Sequence, residues 1–296
     1  MAKQIYAASD RSKTSFFICK LSFVLAYFDM INLDDSHKAG VYYHSTNKIN
    51  IPAKLFVSRE YNVGITPIII DGVVEYHRRL FEIVASAGSI NDASAFFESY
   101  MNELFALEER VNGKKVGSYI RLLKSWLFDS NNSAGAVLKG WVENRFGLIP
   151  FYHGQSIPGL YSKEYYDYLQ EWMNSRTNKN SMFSQLDLLY TYTQTIIKAY
   201  CENHVPSITL YRGVNDLSDH IIISQLSKRK YCIELNSLSS FTSEKEIAEQ
   251  FGSKIIKAEV PYTKIVYFSE ALPKRSFSGE LEYLVIGGRY DVETVF

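Results

Sequence analysis

The chain holds 296 residues, and 32 Lys and Arg balance 32 Asp and Glu, so no global field draws in nucleic acid or an anionic membrane. Hydrophobic residues make up 46% of the chain, with 22 Tyr and 18 Phe, which supplies a sizeable core and excludes a disordered protein. No stretch approaches the roughly 20 apolar residues of a membrane helix.

The first 35 or so residues mix polar and apolar stretches, and Cys19 to Met30 reads as a short helix or strand. The apolar run Phe16 to Phe28 contains Lys20 and lacks a small-residue cleavage site, which argues against a signal peptide and for a soluble, cytoplasmic protein. Cys19, Cys201 and Cys232 are scattered, odd in number and form no CxxC, so they read as reduced core thiols. Tyr42 to Asn47, Ile51-Pro52 and Leu55 to Val57 read as loops and short extended pieces. His44 lies among polar residues there and reads more readily as structural than as a ligand contact.

From Asp71 the apolar period becomes helical. Val73, Val74, His77, Leu80, Phe81 and Val84 predict one amphipathic helix, capped by Asp71 and stopped at Gly88. Further helices are expected over about 92–107 (Ala93, Phe96, Phe97, Tyr100 and Leu104 on one face), 118–128, 133–146 closed by Gly147, 163–174 and 185–202. At Pro206 the character switches to β. Strands are expected at Ser207 to Tyr211, Ile255 to Val260, Ile265 to Phe268, Tyr283 to Ile286 and Val292 to Phe296. One short helix interrupts them, introduced by the capping box Ser243-Glu244-Lys245-Glu246 and stopped at Gly252. The expectation is an α+β chain without internal repeats: a largely helical lobe over residues 1–204, packed on a β-rich core over 205–296 as one compact unit.

Three motifs carry chemistry. In Leu210-Tyr211-Arg212-Gly213, a strand-end guanidinium can hold a diphosphate or carboxylate through paired hydrogen bonds, and the glycine admits a ligand to the backbone. Ser239-Ser240-Phe241-Thr242-Ser243 places hydroxyls at the mouth of a strand or turn. Glu280-Leu281-Glu282 puts two carboxylates on one face of a strand, anchored by the apolar run Tyr283 to Ile286. Two like charges held so close call for a cation, water or substrate between them. No His, Cys and acid cluster points to a metal.

In that order, arginine, hydroxyl cluster, then ExE on a strand, residues 205–296 resemble the R-S-E class of mono-ADP-ribosyltransferases. The resemblance implies a split β-sandwich binding NAD in a central cleft. Further segments extend it: Ile51-Pro52, Phe128-Asp129-Ser130-Asn131, Ala136 to Glu143, Arg145-Phe146-Gly147, Gln185 to Tyr190 and Leu210 to Asn215. These look like the NAD-dependent dinitrogenase reductase ADP-ribosyltransferase family, whose members modify one arginine of the nitrogenase iron protein and so switch nitrogen fixation off.

The resemblance implies that Arg212 holds the NAD phosphates or adjoining ribose and that Gly213 offers its backbone to the nicotinamide amide. Ser240, Thr242 and Ser243 would shape the ribose pocket and orient the catalytic glutamate. Phe241 stands where the family's first serine is usual, which leaves open which hydroxyl does the orienting. Glu282 would stabilise the oxocarbenium-like transition state, and Glu280 would engage the acceptor arginine. The loop Pro273 to Gly279, with Arg275 and Phe277, would meet the protein acceptor, and a nitrogen-signalling protein is an expected regulatory partner. Alternatives are an arginine-specific transferase acting on another protein, as a toxin or regulator, and a catalytically silent NAD-binding regulator.

Overall fold

The structure is a computed structural model that describes residues 42–108, 110–111, 114–115, 117–175, 178–200, 206–217, 220–273 and 282–295. Residues from Tyr42 onward form one compact unit. Among the described residues, no helix is long and apolar enough to cross a membrane.

The single helix expected from Asp71 is broken. A turn at Val73–Tyr76 starts from Gly72, in the left-handed region at φ 80°, and a separate helix α1 covers Arg78–Ser86. Between them His77 leaves helical geometry and bonds through Nδ1 to Tyr100 OH at 2.8 Å. Helix α2 spans Ile90–Phe105, its N-terminus capped by the Ser89 hydroxyl accepting from the Asp92 N–H. Its buried stripe is Ala93, Phe97 and Met101, spaced by four. Phe96 and Leu104, expected on the core face, flank that stripe and are 38% and 47% exposed.

Helices α3 (Tyr119–Phe128), α4 (Ser133–Phe146) and α5 (Lys163–Asn174) keep their expected bounds, with Ser118, Asn132 and Ser162 as side-chain N-caps. Gly147 ends α4 in the left-handed region. Helix α6 (Lys179–Tyr200) begins a turn and a half earlier than expected, and its expected end at Glu202 lies outside the described residues.

The α4 and α6 helices are locked by a buried charge. Asp187 Oδ1 accepts from Trp141 Nε1 and from Arg145 Nε, both at 2.8 Å, while Oδ2 accepts from Arg145 Nη2 at 2.7 Å. The Arg145 and Asp187 side chains are 12% and 9% exposed, so this ion pair is desolvated and depends on its geometry.

Six strands follow: β1 Ser207–Val214, β2 Ile221–Gln225, β3 Lys230–Thr242, β4 Lys254–Pro261, β5 Ile265–Phe268 and β6 Glu282–Val295. All their pairings are antiparallel, in the order β2-β3-β1-β4-β6-β5, and β3 also pairs with β6. The two strands expected at 283–286 and 292–296 are one. Gly287 and Gly288 form the bulge that bends it, and the register against β3 shifts there. Gly288 has φ 104°, and an added Cβ would stand 2.8 Å from the Val57 carbonyl oxygen, which accepts the Arg289 N–H at 2.8 Å. Strands β2 and β3 were not expected. Polar residues buried along β3 (Glu234, Ser237, Ser239 and Thr242) hide its apolar alternation.

The expected capping box does not form. The short helix is one turn, Lys245–Ala248, with Glu244 at its N-cap and no side-chain cap, and the Thr242 hydroxyl accepts the Glu244 N–H at 3.2 Å. Cys232 is buried on β3, and Cys19 and Cys201 lie outside the described residues.

One apolar cluster joins helices to sheet, from Phe56 and Trp141 to Val285 and Val292. Inside it Lys264 is fully buried with no hydrogen-bond partner for Nζ among the described residues, and Nζ sits 4.6 Å from the Tyr290 ring centroid and 5.2 Å from that of Phe56.

Two predictions follow from this packing. Asp187→Ala leaves Arg145 buried without a counter-charge and should lower urea-unfolding stability by about 3–5 kcal/mol; a loss below about 1 kcal/mol would contradict the lock. Burial pulls Lys264 down to about 7, far below its ordinary value, and does the same to Lys139. Above pH 7 the unfolded chain therefore holds more protons than the folded one, so stability should rise with pH, by at most about 1.4 kcal/mol per unit for each lysine. Between pH 7 and pH 9, Lys264→Met should be more stable than the unaltered protein and show a shallower slope; an equal slope would refute this.

Candidate functional site

Strand register builds the site. Across the β3–β6 pair Glu282 lies opposite Thr242 and Leu284 opposite Ser240, so Glu282 and Ser240 are diagonal neighbours on one face, within reach of a glutamate side chain. The Ser240 hydroxyl donates to Glu282 Oε1 at 2.7 Å. Ser269, just after β5, clamps the backbone of the same residue: its Oγ accepts the Glu282 N–H at 2.8 Å and donates to the Glu282 carbonyl at 3.2 Å.

Strand β1 brings the guanidinium. Tyr211 pairs with Thr242, the one register pair between β1 and β3, and Arg212 follows it on the strand. Arg212 Nη1 donates to the Ser240 carbonyl at 2.7 Å, while its buried Nε has no acceptor among the described residues. Burial draws the guanidinium below its ordinary pKa, and the Glu282 carboxylate opposes that shift. Gly213, next along the strand, packs on the turn after the short helix: a Cβ there would stand 2.2 Å from the Ala248 carbonyl oxygen.

These residues line a cleft of about 990 Å³ between the sheet and the end of α3. That volume is at the upper end of small-molecule sites and is large enough for a dinucleotide. Arg212, Gly213, Ser240, Thr242 and Glu282 all line it. Thr242 spends its hydroxyl on the Glu244 N–H, and Ser243 stands one residue beyond the lining. Glu280, Arg275 and Phe277 lie outside the described residues.

Helices α3 and α4 and the segment after them supply the other wall, with residues that had no expected role. Trp126 Nε1 donates to Ser240 Oγ at 2.8 Å. Lys139, 1% exposed, holds Nζ 3.1 Å from each of Asn131 Oδ1, the Tyr152 carbonyl and His153 Nδ1, donating to the first two. His153 Nε2 faces the Glu171 Oε2 acceptor at 3.0 Å, so a ring proton is assigned to Nε2. Asn236 of β3 ties the same wall to the sheet, donating to the Tyr152 carbonyl at 2.9 Å and accepting the Phe151 N–H at 3.1 Å.

A second cavity of about 320 Å³ lies beside His44 and Glu143. There Glu143 already accepts from Tyr165 and Tyr168 and bonds His44 Nε2 at 2.8 Å, which raises the His44 pKa. No cluster of His, Cys, Asp and Glu suited to a metal occurs among the described residues.

An α+β chain that gathers an arginine, a serine and a strand-borne glutamate in one cleft agrees with the class of mono-ADP-ribosyltransferases. The sequence comparisons narrow the class. The family model described as dinitrogenase reductase ADP-ribosyltransferase (DRAT) matches residues 46–294. The chain is also 39% identical, over 263 residues, to the NAD(+)--dinitrogen-reductase ADP-D-ribosyltransferase of Rhodospirillum rubrum, a match covering 86% of this chain and 95% of that protein. No solved structure matches. The chain belongs to the dinitrogenase reductase ADP-ribosyltransferase family.

Gly213→Ala should force β1 away from the turn at 248–252 and cost about 1–3 kcal/mol in thermal or urea unfolding; unchanged stability would show that this wall of the cleft yields freely.

Proposed function

We propose that this protein transfers ADP-ribose from NAD to an arginine of dinitrogenase reductase, the nitrogenase iron protein, and thereby inactivates it. The observation that carries the reading is the Ser240–Glu282 hydrogen bond in a cleft also lined by Arg212. Family membership supplies the donor and the acceptor. The reading includes a split β-sandwich catalytic core over 205–296, backed by the helical lobe of 1–204, in a cytoplasmic enzyme.

The cleft suits NAD chemically. Arg212 offers the pyrophosphate or adjoining ribose a fixed cation, and its Nε–H, which has no acceptor among the described residues, marks one donor that a ligand oxygen can satisfy. Glu282 faces the nicotinamide ribose in this reading. As the C1′–N bond breaks, the bonding pair leaves with nicotinamide and neutralises its ring, while positive charge grows on the sugar. A carboxylate already oriented by Ser240 and Ser269 stabilises that charge more than it stabilises bound NAD. The acceptor guanidinium then forms the new N–C1′ bond and gives up one proton, for which Glu280 is the proposed base.

The test is transfer of label from NAD to purified dinitrogenase reductase, with Glu282→Gln as control. We expect label on the acceptor, a loss of about 10²–10³-fold or more in the variant, and NAD affinity within about threefold of the original. No labelling by the unaltered protein would discard the acceptor, and undiminished turnover by Glu282→Gln would discard the catalytic assignment. Arg212→Ala should raise the dissociation constant for NAD by about tenfold or more; an unchanged value would move the phosphate site elsewhere.

A further inference from the structure

We propose that Trp126, on the helical lobe, is a positioning residue for the transfer: its indole N–H fixes the direction of the Ser240 hydroxyl and thereby the Glu282 carboxylate. The inference rests on the reading that Glu282 is the catalytic carboxylate.

A serine hydroxyl is a rotor with one hydrogen to give and two lone pairs that accept, so alone it does not commit to a partner. An indole N–H only donates. With Trp126 Nε1 2.8 Å from Ser240 Oγ, the direction of that bond is settled, and one lone pair of the hydroxyl is taken. The hydroxyl hydrogen is left for Glu282 Oε1 at 2.7 Å. The relay therefore runs one way, indole to hydroxyl to carboxylate. The Ser240 backbone is pinned independently by Arg212 Nη1 on its carbonyl, so the residue is held at both main chain and side chain.

The indole itself is fixed. Trp126 is 5% exposed in the last turns of α3, and the Lys139 ammonium lies 5.8 Å from its ring centroid. Lys139 is in turn tied to Asn131, the Tyr152 carbonyl and His153. The relay joins residues 114 apart in sequence, which gives the helical lobe a direct part in the chemistry.

The bland alternative is that Trp126 merely satisfies its N–H on the nearest oxygen, and a mutant cycle separates the two. Nicotinamide release from NAD, with water taking the ADP-ribosyl group in place of the protein acceptor, would be measured for the unaltered protein, Trp126→Phe, Ser240→Ala and the double variant. Trp126→Phe keeps a ring and removes the donor. It should lower kcat by about ten- to a hundredfold with KM for NAD changed less than about twofold, and add less than about twofold in the Ser240→Ala background. An equal loss in both backgrounds, or an unchanged kcat, would overturn the proposal.

A second readout does not depend on turnover or on the folding of Trp126→Phe. The chain has 3 Trp, so its indole N–H resonances are few and assignable. Ser240→Ala should shift the Trp126 signal and speed its exchange with water, and an unmoved signal would refute the contact. Absence of nicotinamide release from the unaltered protein would remove the functional reading itself, while the indole signal still reports whether the contact exists.

Discussion

Everything at the cleft depends on holding one carboxylate in place at the end of a strand. Glu282 opens β6, where a side chain would ordinarily fray into solvent, yet it is held from three directions. Pairing with Thr242 sets its register, Ser269 clamps its N–H and carbonyl, and Ser240 holds its carboxylate. An ion fixed before the substrate arrives needs little reorganisation when charge develops opposite it, which is where electrostatic catalysis gains most.

Holding Glu282 in turn makes demands on the rest of the fold. Ser240 lies on β3, which must run far enough to pair with β6, β1 and β2. The glycine bulge at 287–288 shifts the register of β6 on β3, and the pairing with β3 resumes to Glu293, where Val292 to Val295 also pair with β4. The helical lobe closes the cleft from the other side through Trp126 and the buried Lys139. Burying a lysine is costly. Here Nζ gains three polar partners, joining the 129–131 turn to the 152–153 segment, so the wall of the cleft is a hydrogen-bonded structure and not a loose loop.

Much of this was legible in the sequence, and what was not has identifiable physical causes. Helices α3, α4 and α5 announced themselves because their caps and apolar periods agree. Strand β3 did not, because its buried serines and Glu234 are satisfied or packed only by tertiary partners. The two halves of β6 read as separate strands because glycines interrupt the apolar run. Ser243 looked like a cap, but the helix is a single turn that starts one residue later, with Glu244 at its N-cap. Arg212, Ser240 and Glu282 were found as an ordered set. The sequence left open which hydroxyl meets Glu282; in the structure Ser240 makes that bond. Trp126 and Ser269 were invisible as site residues, since an indole on an amphipathic face looks like core and a serine after a strand looks like a turn.

The most direct test of this account is a crystal structure with a non-hydrolysable NAD analogue. The account predicts the anomeric carbon of the nicotinamide ribose within about 3.5 Å of the Glu282 carboxylate, with the diphosphate or adjoining ribose on Arg212 and the Ser240–Glu282 bond intact. An analogue seated in the smaller cavity by His44 and Glu143, or with its ribose turned away from Glu282, would contradict it.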